Sequence, residues 1–141
     1  KNHQVILFTN GSPEDEAMLA EVTGLPLSAN IERLARLSGP TALIDFIGGL
    51  DGLAAHRLHA LIVAYSLDVP SVGLRWDAKV DAFFDLAERS RYLVDAPALP
   101  PSKVSDLIIK AGHTSETQTR RTDLQSAAHD GVREAISALI P

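Results

Sequence analysis

Short apolar runs alternate with segments of helical spacing along the chain, and this alternation predicts strands followed by helices. Runs at 5–8, 52–55, 71–74 and 91–94 are typical of short buried strands. Strands that alternate with helices favour right-handed crossovers and a parallel sheet covered by helices on both faces. The pattern therefore predicts an α/β, Rossmann-like three-layer domain. A chain of 141 residues is expected to form a single domain, residues 1–141.

Helix signals separate these runs. They predict helices that begin near Ser12, Asn30, Thr41, Arg57, Asp77, Pro101 and Leu124. Leu25-Pro26-Leu27 is expected to form a short edge strand, because proline is tolerated at sheet edges. The last helix carries an apolar stripe from Leu124 to Leu139 that is expected to close the domain. The polar stretch 112–123 is expected to be an exposed helical turn or a connector.

The helix beginning near Arg57 is apolar nearly all round, which predicts that it is buried. Its first turn nevertheless holds His56, Arg57 and His59. Because a helix N-terminus carries a partial positive charge, a cation there costs about 0.3–1 kcal/mol, whereas an acid would be stabilising. The earlier helix follows the ordinary rule, since Glu14, Asp15 and Glu16 fill its first turn.

This exception indicates a candidate anion site. Free backbone N–H groups, the helix dipole and Arg57 can together hold a phosphate or carboxylate. The alternative is that Arg57 extends to an edge of the domain while the two histidines bond to loop carbonyls. Spacing alone leaves both interpretations open.

A second cationic segment follows the strand at 71–74. The carboxyl ends of neighbouring parallel strands share one edge, so Arg75 and Lys79 could approach Arg57 and His59 there. The alternative is that Asp77 caps a helix, Lys79 lies in solvent and Trp76 packs at the edge.

An ordered series of motifs adds to this interpretation. It comprises His56-Arg57-Leu58-His59-Ala60, Ala64-Tyr65-Ser66-Leu67, Val69-Pro70-Ser71-Val72-Gly73-Leu74, Trp76-Asp77, Lys79-Val80 and Phe83-Phe84. The series resembles the C-terminal half of bacterial polysaccharide pyruvyl transferases, and the resemblance extends faintly to 8–16. Arg75 departs from it, since a small residue such as glycine is expected there.

The resemblance implies the C-terminal, donor-binding domain of a glycosyltransferase-B-like enzyme. Such an enzyme transfers the pyruvyl group of phosphoenolpyruvate to two hydroxyls of a saccharide, with no separate cofactor. Arg57 is then expected to bind the phosphate or carboxylate, and His59 to bind phosphate or donate a proton. Leu58 would offer backbone contacts, Lys79 and Arg75 further anion contacts, and His56 a lesser one. Acceptor contacts are expected from an N-terminal domain absent from this chain, so the fragment is expected to be inactive alone.

The composition of the chain limits the classes of partner and of chemistry that are expected. A formal charge of −5 argues against nucleic acid or an anionic membrane as the main partner, and no apolar run is long enough for a transmembrane span. With no cysteine, thiolate chemistry is excluded, and His56 and His59 lack an evident third metal ligand. A cytoplasmic location is expected, either free or at the inner face of the membrane. A nucleotide-sugar glycosyltransferase and a non-catalytic binding domain remain alternatives.

Overall fold

The computed structural model describes residues 3–24, 29–95, 100–112 and 116–139, without the side chains of Pro101, Glu116, Thr117 and Leu139. The predicted edge strand at 25–27 lies outside the described residues. Contacts divide the chain into two compact units, Lys1–Phe46 and Ile47–Pro141. Both units contain parallel strands and helices. The predicted α/β class is confirmed, and the architecture is consistent with a Rossmann-like three-layer fold.

The first unit pairs two short strands. Strand β1 (Val5–Leu7) is followed by helix α1 (Pro13–Thr23), strand β2 (Ile31–Arg33) and helix α2 (Pro40–Gly48), whose last two residues belong to the second unit. Strands β1 and β2 are parallel, with Val5 opposite Ile31. As predicted, Ser12 caps α1, since its hydroxyl accepts a hydrogen bond from the Asp15 N–H at 3.2 Å.

The predicted helix at Asn30 is wrong, because this segment forms β2. The Asn30 carbonyl accepts a hydrogen bond from the Val5 N–H at 2.8 Å, and its side-chain amide donates to the His3 carbonyl at 3.0 Å. Asn30 therefore joins two strands instead of capping a helix. Bonding across the sheet decides the conformation of a segment whose apolar spacing also suits a helix.

The second unit contains three parallel strands in the order β3-β4-β5. Its elements are β3 (Leu53–Ala55), α3 (Leu58–Ser66), β4 (Ser71–Leu74), α4 (Ala78–Leu86), a 3-10 turn (Ser90–Tyr92), β5 (Leu93–Val94), α5 (Pro101–Ala111) and α6 (Glu116–Leu139). The register places Ala55 opposite Gly73, and Leu74 opposite Val94. The predicted strand at 91–94 is correct only in its second half, since Arg91 and Tyr92 belong to the 3-10 turn.

The core of the second unit holds its helices against the sheet. One cluster of buried residues in this core comprises Leu61, Val80, Phe84, Tyr92 and Ala111. Gly73 allows α4 to approach β4 closely, because a Cβ at this position would lie 2.5 Å from Cε2 of the Phe84 ring.

Helix α6 is attached to the second unit through its first turns. The Arg120 guanidinium donates two hydrogen bonds, at 3.0 and 2.8 Å, to the carbonyl of Leu86 at the end of α4. Arg121 forms an ion pair with Asp68. Residues 125–138 are exposed, including Val132 at 61%. The predicted closure of the domain by this apolar stripe is therefore wrong, because polar contacts near residue 120 fix the helix while the apolar residues between 128 and 136 stay exposed.

Candidate functional site

The loops after β3 and β4 meet at the carboxyl end of the parallel strands. His56 and Arg57 follow β3, whereas Arg75 and Trp76 follow β4. The rings of His56 and Trp76 lie 6.1 Å apart, centroid to centroid, in an edge-to-face arrangement. This contact brings together two of the segments that the sequence analysis identified.

The N-terminus of α3 lies between these loops and has no side-chain cap. Arg57 occupies the N-cap position with an extended backbone (φ −85°, ψ 118°), and its side chain makes no capping hydrogen bond. The first turn contains no acidic residue. Since the first N–H groups of a helix have no partner within it, the N–H groups of Leu58, His59 and Ala60 are candidates for binding an anion.

Packing of Leu58 orients this turn. Its side chain packs against the buried core of the second unit. Successive residues of a helix are rotated by about 100°, so His59 is directed away from the partly buried Leu58. Accordingly His59 is exposed, whereas Arg57 and His56 are partly buried. The backbone contact assigned to Leu58 stays a prediction.

Arg75 is engaged by carboxylates. Its Nη1 lies 3.2 Å from Oδ1 of Asp81 on α4, and its Nε lies 3.1 Å from Oδ1 of Asp95, directly after β5. These two ion pairs offset the charge of Arg75. Its suggested role in donor binding stays a prediction, and the ion pairs do not favour it.

Lys79 lies in the first turn of α4 with an exposed side chain. Its backbone N–H donates to Oδ1 of Asp77 at 2.8 Å, so Asp77 is the N-cap of α4. The helix-capping interpretation of Asp77 is confirmed. The anion contact assigned to Lys79 stays a prediction.

The sequence analysis missed a buried arginine at the opposite end of the sheet. Arg89 is 6% exposed, and its Nη2 donates to the carbonyl of Ser71, the first residue of β4, at 3.3 Å. Its guanidinium carbon lies 4.9 Å from the ring centroid of Tyr92 and 6.0 Å from that of Tyr65. Desolvation by burial lowers the pKa of Arg89, which the two tyrosines partly oppose. Neither apolar periodicity nor a motif marks this residue in the sequence.

In the described part of the chain, no group of three His, Asp or Glu side chains is placed to hold a metal ion. Over the same residues, no helix is long and apolar enough to cross a bilayer.

Fold and site together define an α/β protein with a cation-rich helix N-terminus at the carboxyl end of its parallel strands. The sequence model of the polysaccharide pyruvyl transferase family matches residues 4–78, which is more than half of the 141 residues. The chain belongs to this family. No curated protein and no solved structure gives a significant match.

The family assignment indicates pyruvyl transferase activity in general, with a saccharide as acceptor. The matched range includes His56, Arg57, His59 and Arg75, but it ends at Ala78. Lys79 therefore lies just outside it.

Proposed function

We propose that this chain supplies the donor-binding part of an enzyme that transfers the pyruvyl group of phosphoenolpyruvate to a saccharide. One observation carries the proposal. The N-terminus of α3 has no capping side chain and no acid in its first turn, yet it is flanked by Arg57 and His59. A helix end of this kind is stabilised by an anion.

Phosphoenolpyruvate suits such a site because its carboxylate and its phosphate are attached to the same carbon atom. Arg57 would bind one of them, since a guanidinium can donate two parallel hydrogen bonds to a planar or tetrahedral oxyanion. The N–H groups of Leu58 and His59 would bind the same group from the helix end. His56 would offer a lesser contact, Lys79 would contribute positive charge at longer range, and Arg75 would do so only if its carboxylate partners released it.

The reaction also needs a proton at carbon. Protonation of the methylene carbon of phosphoenolpyruvate forms a methyl group and leaves an oxocarbenium-like centre, which one sugar hydroxyl attacks. The phosphate departs with the C–O bond electrons, and a second hydroxyl completes the ketal. Of the two hydroxyl protons, one returns to the acid that protonated the carbon, and the other leaves with the phosphate. His59 is the proposed acid, because it is exposed and can exchange its proton with water.

Cations are also needed by the departing phosphate. Arg57 and the α3 N-terminus would stabilise the charge that develops on it as the bond to carbon breaks. The donor is a substrate in this scheme, and we propose no separate cofactor. We further propose that an N-terminal domain outside this chain holds most of the acceptor and that the enzyme is cytoplasmic, where phosphoenolpyruvate is made. The fragment alone would bind the donor without turning it over.

A thermal-shift panel tests the proposal. The chain is heated with phosphoenolpyruvate, inorganic phosphate or UDP, and the panel is repeated on Arg57→Ala and His59→Ala. A ligand that binds only the folded state raises the melting temperature by mass action. We expect phosphoenolpyruvate to stabilise the chain more than phosphate does, and both substitutions to abolish the difference.

Arg91→Ala is the matched control, because Arg91 is an exposed arginine of the same unit whose guanidinium stacks on Tyr92. It should keep the full response. Stabilisation by UDP alone would favour a nucleotide-sugar glycosyltransferase. No response to any of the three anions would favour a non-catalytic domain and would contradict the proposal.

A further inference from the structure

Trp76 is a large aromatic side chain that the fold does not bury. It is 73% exposed, more than any other large hydrophobic side chain of the described residues. Its ring contacts His56 edge to face, with 68° between the ring planes. The sequence analysis considered Trp76 as an edge-packing residue, but an indole this exposed contributes little to the core.

The loop that carries Trp76 is held on both sides. Before it, the Arg75 N–H donates to the Val94 carbonyl at 2.8 Å, and the Arg75 guanidinium bridges Asp81 and Asp95. After it, Asp77 caps α4. The backbone on both sides of the indole is therefore anchored, so little backbone conformational entropy would be lost when a ligand covers the ring.

The neighbourhood of Trp76 connects it to the donor site. His56, which its ring contacts, directly precedes Arg57 at the N-terminus of α3. A ligand lying on the indole would thus be adjacent to an anion held by Arg57. In a transfer reaction, that is the position of the group that receives the pyruvyl unit.

We propose that Trp76 is a stacking platform for a pyranose ring of the saccharide acceptor, with Arg75 as the residue that positions it. This inference rests on the proposed function, and it places an acceptor contact in this chain besides those expected from another domain. The face of an indole is electron-rich, so it attracts the axial C–H groups of a pyranose. The ring hydroxyls stay directed outward, where two of them can reach the donor.

Because Trp76 is the only tryptophan of the chain, its fluorescence tests the proposal directly. The chain is titrated with methyl glycosides of galactose, glucose and mannose, without donor. We expect a saturable change of the emission for at least one glycoside. Saturation-transfer NMR on the same glycoside should show binding weakened about tenfold by Trp76→Ala, as the loss of one aromatic contact implies. Trp76→Phe should retain most of the binding.

Ile109→Ala is the matched control, because Ile109 is a 58% exposed hydrophobic residue on α5. It should leave glycoside binding unchanged. Arg75→Ala should weaken glycoside binding while also broadening the Trp76 emission, a change that a purely local loss of charge would not produce.

The two proposals fail differently. Emission that no glycoside changes, or equal glycoside binding by Trp76→Ala and the unaltered chain, would overturn the stacking platform, even if phosphoenolpyruvate still stabilised the chain. Saturable glycoside binding that depends on Trp76, without any response to phosphoenolpyruvate, would support the platform and overturn the proposed donor.

Discussion

The two ends of the β3-β4-β5 sheet each hold an arginine, and the two are used differently. At the amino end, Arg89 is buried between the rings of Tyr65 and Tyr92 and donates to the carbonyl of Ser71. At the carboxyl end, Arg57 is partly buried at the start of α3, beside the exposed His59. One arginine connects structural elements, whereas the other lies at a helix end that lacks an acid.

Helix α3 links the two ends. Its nine residues span about 14 Å, with Arg57 at its beginning and Tyr65 near its end. The comparison shows that a count of basic residues says little about anion binding. What matters here is whether backbone N–H groups without a partner inside the helix lie next to the guanidinium.

The largest expected effect is on stability at the amino end. Arg89→Ala removes a buried side chain that fills space between two rings, so we expect it to lower the free energy of unfolding by about 2–4 kcal/mol. Urea denaturation measures this loss. Arg57→Ala should cost less than about 1 kcal/mol, as partly exposed sites usually do. Equal losses for the two variants would contradict the distinction between the two ends.

Between the two ends of the sheet, α4 packs closely on β4 at Gly73. A substitution of Gly73 tests this packing. Gly73→Ala would push a methyl group into the Phe84 ring, and overpacking of this kind costs about 1–3 kcal/mol. Gly131→Ala is the control, because nothing lies within 4 Å of the added Cβ on α6, and better helix propensity should stabilise that helix by up to about 1 kcal/mol. Thermal unfolding of both variants should therefore shift in opposite directions. A neutral Gly73→Ala would show that α4 can move away from β4.

A smaller effect of opposite sign is expected at the carboxyl end. His59→Glu places an acid in the first turn of α3, as α1 already has in Glu14 and Glu16. It should raise the free energy of unfolding by about 0.3–1 kcal/mol through the helix dipole and abolish stabilisation by phosphoenolpyruvate.

His59→Gln is its control, with little expected change in stability. Calorimetry with and without donor separates the two effects. If His59→Glu destabilised the chain, the α3 N-terminus would not be the unsatisfied helix end described above.

The smallest effect concerns Tyr65, which packs against Arg89. Desolvation by burial raises the pKa of Tyr65 above its ordinary value of 10.0, and the neighbouring Arg89 opposes this increase. Because the folded-state pKa exceeds the unfolded one, the resulting stability is complete below pH 10.0 and is lost as the pH rises through the folded-state pKa. Tyrosinate absorbance of the chain and of Tyr65→Phe should show one phenol that ionises late. Ordinary ionisation of Tyr65 would contradict its desolvation.

Local signals predicted much of the fold. Ser12, Pro13 and the following acids specify the start of α1, and the apolar spacing after Arg57 specifies α3, because caps and periodicity act within a few residues. They failed at Asn30, where pairing with a distant strand decides the conformation, and at α6, where Arg120 and Arg121 fix the helix while the apolar residues between 128 and 136 stay exposed.

For the candidate site, the sequence indicated some residues but not the contacts they make. The cations before and within the first turn of α3 could be identified in the sequence, since they violate a local electrostatic preference. The carboxylate partners of Arg75, the exposure of Trp76 and the burial of Arg89 depend on which elements meet in space. No spacing along the chain contains that information.

Phosphorus NMR of phosphoenolpyruvate tests the central claim most directly, because it observes the anion itself. Added to the unaltered chain, the phosphoenolpyruvate signal should broaden and shift in a saturable way, and it should return to its free position with Arg57→Ala but not with Arg91→Ala. A signal that stays sharp with the unaltered chain, or that broadens equally with Arg57→Ala, would show that the N-terminus of α3 does not bind this donor.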